Sequence, residues 1–119
     1  MQILEPPPFS DQDAEADYYE DLCERGTEGE KLAAREKLAQ LLYKRAMERQ
    51  HQTNPKAVLP PANAEELLRA ASLLERNVLD GYEDARQLGF LCHIYRAQGR
   101  YRLAKELSGV SDGLKAGTH

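Results

Sequence analysis

Residues 82–107, YEDARQLGFLCHIYRAQGRYRLAKEL, form the most regular stretch of the sequence. Apolar residues recur in its first half at the three- and four-residue spacing that gathers side chains on one face of a helix. These residues are Leu88, Leu91, Cys92 and Tyr95. Gly99 interrupts the pattern, and glycine adopts the backbone angles of a tight turn at no steric cost. The stretch therefore predicts two antiparallel helices, at about 83–98 and 101–107, joined by a short turn.

Three further helices are predicted upstream by the same apolar spacing, at about 10–24, 30–50 and 63–81. The intervening residues 50–62 contain three prolines, which exclude a helix there. No segment alternates apolar and polar residues as a half-buried strand does. The fold class predicted from these patterns is all-α, with about five helices arranged as antiparallel hairpins.

The ends of the third helix carry recognisable signals. Asn63 and Glu66 are spaced like a capping box, in which each side chain bonds a backbone N–H at the helix start. Gly81 suits the left-handed position that commonly follows a helix. In the loop before this helix, Val58 and Leu59 are expected to pack against the helices.

The domain organisation follows from these elements. Residues 1–9 contain three consecutive prolines and are predicted to form an extended leader. Residues 10–109 form one helical domain, with 50–62 as an inserted loop. Residues 110–119, rich in glycine, are predicted to be a flexible tail. A chain of 119 residues has room for one such core.

The amino-acid composition and the N-terminal sequence indicate the cellular compartment in which the protein is expected. The chain is 41% apolar and 30% charged, as globular proteins are. Two cysteines are too few for a disulfide framework, and no Cys-x-x-Cys pair offers a zinc site. No apolar run approaches the ~20 residues that span a membrane. The N-terminus lacks the basic and apolar regions of a secretory signal. We therefore expect a reduced, cytoplasmic protein.

Charge is unevenly distributed along the chain. Residues 1–24 hold eight acidic residues and no basic one, whereas the rest of the chain carries 12 acidic and 16 basic residues. An acidic segment therefore precedes a basic body. Two interpretations stay open: a solvated leader, or a segment that lies on a basic groove of the body.

The sequence does not indicate an enzyme, a metal site or a cofactor. Cys92 and His93 are an adjacent nucleophile and base, but successive residues of a helix point in different directions. Cys92 is better explained as a small core residue. The three histidines are dispersed, and no glycine-rich phosphate loop is present.

The segment LGFLCHIYRAQGRYRLA, residues 88–104, resembles the helix–turn–helix of a tetratricopeptide repeat. Tyr95 matches the aromatic residue of the first helix, Cys92 and Ala104 the small residues, and Gly99 the turn glycine. Ala70 lies one 34-residue period before Ala104. The resemblance covers about 70 residues and departs from the repeat where the loop at 50–62 is inserted. It implies a tetratricopeptide-like, right-handed α-solenoid fragment.

The resemblance also implies a binding site, because the first helix of each such hairpin lines a concave groove. The implied partner-binding residues are Lys37, Leu41, Lys44, Arg45, Arg86, His93 and Arg96, with Gly89 beside Leu41 at the floor. The expected function is a protein–protein interaction adaptor or chaperone-like factor. It would bind a partner polypeptide, acidic or amphipathic, in this basic groove.

Two other functions remain open. One is an obligate helical subunit of a larger complex, and a homo-oligomer is a further option. The other is a nucleic-acid-binding regulator, which the sequence pI of about 5.4 disfavours because nucleic-acid binders carry a basic footprint.

Overall fold

The computed structural model describes residues 11–82 and 84–117, with the side chains of residues 111–117 left out. Its helices are α1 (Gln12–Arg25), α2 (Glu28–Thr53), α3 (Glu65–Leu79), α4 (Ala85–Ala97) and α5 (Tyr101–Gly117). Within these ranges the chain forms helices and turns and no strand, so the all-α prediction is confirmed. The predicted leader, residues 1–9, lies outside the described residues.

Each helix packs mainly against its neighbours in sequence, α1 on α2, α2 on α3, α3 on α4 and α4 on α5. The connections at Gly81 and Gly99 have φ angles of 89° and 78°, a region that glycine reaches without strain. Both turns are therefore as predicted. Cys92 and Ala104 are buried where α4 meets α5, and the Cys92 thiol donates to the Ala104 carbonyl at 3.5 Å. The prediction that Cys92 is a small core residue is confirmed.

The start of α2 depends on a capping box that we did not predict. The Thr27 hydroxyl accepts from the Glu30 backbone N–H, and the Glu30 carboxylate accepts from the Thr27 N–H. These bonds satisfy two donors at the helix start and place the first residue at Glu28 rather than at 30. Gly26, just before the cap, donates its N–H to Leu22 at the end of α1.

Gly26 has no room for a side chain. A Cβ at this position would lie 2.6 Å from the Leu22 carbonyl oxygen and 2.9 Å from the Glu30 Cβ, whereas one at Gly29 would have nothing within 4 Å. We expect Gly26→Ala to lower the free energy of unfolding by about 1–3 kcal/mol, because backbone must move. Gly29→Ala should raise the free energy of unfolding by about 0.4–1 kcal/mol, because alanine reduces the conformational entropy of the unfolded chain. Urea unfolding followed by circular dichroism checks both, and equal effects would contradict the tight contact.

The start of α3 differs from the prediction. Its cap residue is Ala64, which makes no side-chain cap bond, so the expected Asn63–Glu66 capping box is wrong. The two terminal guanidinium nitrogens of Arg49 on α2, Nη1 and Nη2, instead donate to the Glu66 carboxylate. This bond lowers the pKa of Glu66. The Glu66 carboxylate therefore has a tertiary partner on α2 and forms no capping box with Asn63.

The loop before α3 and the end of α5 also depart from the sequence reading. Val58 is 82% exposed, so it does not pack against the helices as expected, whereas Leu59 is 38% exposed and Pro60 is buried. Helix α5 continues to Gly117, well past the predicted end at Leu107. Glycine weakens a helix without forbidding it, which explains the longer element. No described helix is long and apolar enough to cross a membrane.

A buried polar network joins α2, α3 and the start of α4. The Asn77 amide is fully buried and donates to the Leu32 carbonyl at 3.0 Å and to Gln87 Oε1 at 2.7 Å. Arg35 donates to Asn77 Oδ1 at 3.2 Å and to Asp80 Oδ2 at 2.7 Å. The bond from Arg35 lowers the pKa of Asp80. These bonds fix the relative positions of three helices, because buried polar groups are costly without partners.

Candidate functional site

The predicted groove residues lie on two helices, and α1 covers part of the first set. Lys37, Leu41 and Lys44 of α2 line a recess of ≈ 210 Å³ together with Glu15 and Tyr19 of α1. Leu41 is buried. Side chains predicted to meet a partner therefore border α1 of the same chain.

Arg45, the remaining predicted residue of α2, is paired to the start of α1. Its guanidinium donates to the Asp13 carboxylate and, at 3.4 Å, to the Gln12 side-chain oxygen. Tyr19 anchors the middle of α1 in the core. For residues 12–25 these contacts favour the second interpretation of the acidic segment, in which it lies on a basic surface of the body.

His93 of α4 also has an internal partner. Its Nε2 atom shares a hydrogen bond with the Tyr43 hydroxyl of α2, and the two rings lie 5.3 Å apart. Tyr43 also packs edge-on against Phe90, at 5.6 Å between ring centroids. Burial raises the pKa of the Tyr43 phenol. His93 therefore helps to join α2 and α4.

Four of the predicted cations are exposed, and we call them the basic face: Lys37, Lys44, Arg86 and Arg96. Arg86 lies 3.6 Å from the carboxylate of Asp84. Within the part of the chain that the structure describes, the other three form no ion pair. A Cβ added at Gly89, the predicted floor residue on α4, would meet nothing within 4 Å.

An apolar groove lies between α3 and α5 and was not predicted. It encloses ≈ 510 Å³, and buried residues of α4 form its base. We call it the α3–α5 groove; its apolar lining residues are Val78, Leu79, Leu91, Leu103, Leu107 and Val110. Leu79 is 80% exposed, Val110 54% and Leu103 38%. The i, i+4, i+7 spacing of residues 103, 107 and 110 is a sequence signal for this face, but the helix predicted from the sequence ends at 107 and does not reach Val110.

Two carboxylates, Glu75 on α3 and Glu106 on α5, are the only charged groups that line the groove among residues 11–82 and 84–110, whose side chains are described. The Tyr95 hydroxyl donates to Glu75, and the Arg100 guanidinium lies 4.8 Å from the centre of the Tyr95 ring. Burial, and then the bond to Glu75, raise the pKa of the Tyr95 phenol. Glu75 is thus held at the groove by a fixed partner.

The two cysteines lie in different surroundings. Cys23 is half-buried, and burial raises the pKa of its thiol, which disfavours the reactive thiolate. Cys92 is buried and bonded to a backbone carbonyl. In residues 11–82 and 84–110, whose side chains the structure describes, no group of three or more His, Cys, Asp or Glu side chains is placed to hold a metal ion.

Comparisons with protein-family models, with curated protein sequences and with solved structures gave no significant match to this chain.

Proposed function

We propose that this chain is a protein-interaction module, an adaptor rather than an enzyme, that binds a partner polypeptide in the α3–α5 groove. The observation that carries the proposal is the open apolar cavity of ≈ 510 Å³ bordered by exposed leucine and valine side chains. Each Å² of apolar surface left in water costs about 25 cal/mol. Contiguous exposed apolar patches therefore commonly mark binding surfaces.

The shape of the groove favours a helical occupant. Leu103, Leu107 and Val110 present an i, i+4, i+7 stripe on α5, and Val78 and Leu79 face it from α3. Residues 103–110 extend about 10 Å along a helix axis, or two turns. An amphipathic helix laid between two such walls buries its own apolar stripe, as in other helix-in-groove complexes.

The tetratricopeptide-like arrangement of α2–α5 and a cytoplasmic location are parts of the same proposal. Ala70 and Ala104, one 34-residue period apart, are both buried, and Tyr95 lies in the core between the hairpins. Small residues at these positions let helices approach closely. These features support a repeat-like packing, with the loop between α2 and α3 as an insertion.

The proposal predicts where a model ligand binds. The probe is a neutral synthetic helix of about 15 residues with leucines at i, i+3, i+4 and i+7 and glutamines elsewhere. In titrations followed by amide NMR, shifts should concentrate at residues 75–79, 91, 95 and 103–110. Leu79→Arg should weaken binding at least about tenfold, because a charge would enter the apolar contact.

Leu68→Arg is the matched control for this titration. Leu68 is an exposed leucine of the same helix that does not line the groove, so its substitution should leave affinity unchanged. Absent binding, or shifts that do not map to the groove, would reject the proposal. An isolated chain that aggregates until a partner subunit is supplied would favour the obligate-subunit alternative.

The basic face is a second candidate surface, for an acidic polypeptide. It is favoured by the exposure of Lys37, Lys44 and Arg96 without ion pairs in the described chain. If an acidic peptide binds and Arg86→Glu with Arg96→Glu abolishes that binding, the function belongs to the basic face and not to the groove.

A further inference from the structure

We infer that the occupant of the α3–α5 groove is a short amphipathic helix with lysine or arginine residues beside its apolar stripe. This inference rests on the proposed function and adds the chemical class of the partner. It is carried by the two carboxylates that line an otherwise apolar groove.

The carboxylates lie on opposite walls, Glu75 on α3 and Glu106 on α5, and no lysine or arginine of residues 11–82 or 84–110, whose side chains the structure describes, lines the groove with them. Glu106 forms an ion pair with Arg102 at 3.8 Å, and both side chains of that pair are exposed. Such a pair contributes little. A bound helix would remove water from both carboxylates, and that cost is offset when the helix supplies cations.

Glu75 is oriented in advance for this contact. One of its oxygens accepts from the Tyr95 hydroxyl, and Arg100 packs over the same tyrosine ring. A carboxylate has about four acceptor positions, so one bond from Tyr95 leaves room for a lysine or arginine donor. Because its position is already fixed, Glu75 loses little conformational freedom when a cation binds.

Charge also argues against a second copy of this chain as the occupant. A two-fold symmetric dimer places the same surface patch on both subunits against each other. Glu75 and Glu106 would then face an equally acidic groove, and the formal net charge of each copy is −4. Like charges brought together at an interface oppose association.

The test compares three synthetic helices with one leucine stripe and flanking positions that are all lysine, all glutamine or all glutamate. Affinities for the full chain are measured by fluorescence anisotropy at about 0.15 M salt, where long-range attraction is screened. The lysine helix should bind at least about tenfold tighter than the glutamine helix. The Glu75→Gln, Glu106→Gln double variant should remove most of that preference, since glutamine keeps the Tyr95 bond without the charge.

The control is Asp17→Asn with Glu24→Gln, which changes the net charge equally on exposed residues of α1, outside the groove. It should preserve the preference for lysine. The basic-helix inference is wrong if the lysine and glutamine helices bind with equal affinity. It is also wrong if the control variant loses as much of the preference for lysine as the groove variant does. In both cases the proposal of groove binding still stands. If no helix binds, the proposed function fails as well.

Two other occupants give different results. If sedimentation shows that the chain is a dimer and that Leu79→Arg converts it to a monomer, the occupant of the groove is a second copy of the chain. If deletion of residues 1–10 strengthens the binding of all three peptides equally, the natural occupant of the groove is the chain's own N-terminal segment. Either outcome would overturn the inference of a basic helical partner.

Discussion

We expect Leu74→Ala to lower the free energy of unfolding by about 3–5 kcal/mol, the largest effect of any substitution considered for this protein. Leu74 lies in the middle of α3, is 0% exposed and belongs to the core cluster shared with α2 and α4. Truncation to alanine removes apolar contacts and leaves a cavity that packed helices fill only in part. Domains of this length are stable by roughly 5–15 kcal/mol, so a large share would be lost.

Leu79→Ala provides the matched control on the same helix. Leu79 is 80% exposed, so its truncation should change the free energy of unfolding by no more than about 0.5 kcal/mol. Urea unfolding monitored by circular dichroism compares the two variants. Similar losses would mean that Leu79 is covered in solution, and that the α3–α5 groove is not open as described.

Asn77→Ala should lower the free energy of unfolding by about 2–4 kcal/mol, the second largest effect, because it removes three hydrogen bonds of a buried network. Alanine cannot donate to the Leu32 carbonyl or to Gln87 Oε1, and it removes the amide oxygen that accepts from Arg35. Gln87 is buried, and a buried polar atom without a partner costs about 1–3 kcal/mol. Arg35 keeps its bond to Asp80, which limits the loss.

Asn63→Ala is the control for this second prediction, measured by the same urea unfolding. Asn63 is exposed, and α3 begins at an Ala64 cap that makes no side-chain bond. Its substitution should therefore change stability by less than about 0.5 kcal/mol. A loss near 1 kcal/mol would show that Asn63 caps the helix after all. A neutral Asn77→Ala would show that the buried network does not hold α2, α3 and α4 together.

Local patterns were sufficient for the number and order of the helices. The three- and four-residue apolar spacing located all five, and Gly81 and Gly99 marked two of the turns. Helix ends were less predictable. Thr27 and Glu30 formed a capping box that the sequence contains but that we did not identify, whereas Asn63 and Glu66 have the same spacing and form none. Helix α3 has its cap one residue later, at Ala64, and the Glu66 carboxylate is bonded to Arg49 of another helix.

The binding residues were harder to predict for the same reason. Lys37, Lys44, Arg86 and Arg96 are exposed, as a partner-binding role requires. Arg45 and His93, from the same predicted set, have partners on α1 and α2. Their spacing along a helix did not show which neighbouring helix would reach them. Whether the basic face binds a partner stays a prediction.

The sequence by itself determined an all-α chain with its turns, its buried small residues at Cys92 and Ala104, and its acidic N-terminal segment. These features depend on the helix and turn preferences of short stretches of sequence, and the spacing of apolar residues and glycines along the chain indicates them. Only the tertiary structure decided that α1 lies on α2, that Asn77 joins three helices, and that an acid-lined apolar groove opens between α3 and α5. Such features arise where helices distant in sequence meet, and their geometry depends on packing that no single helix specifies.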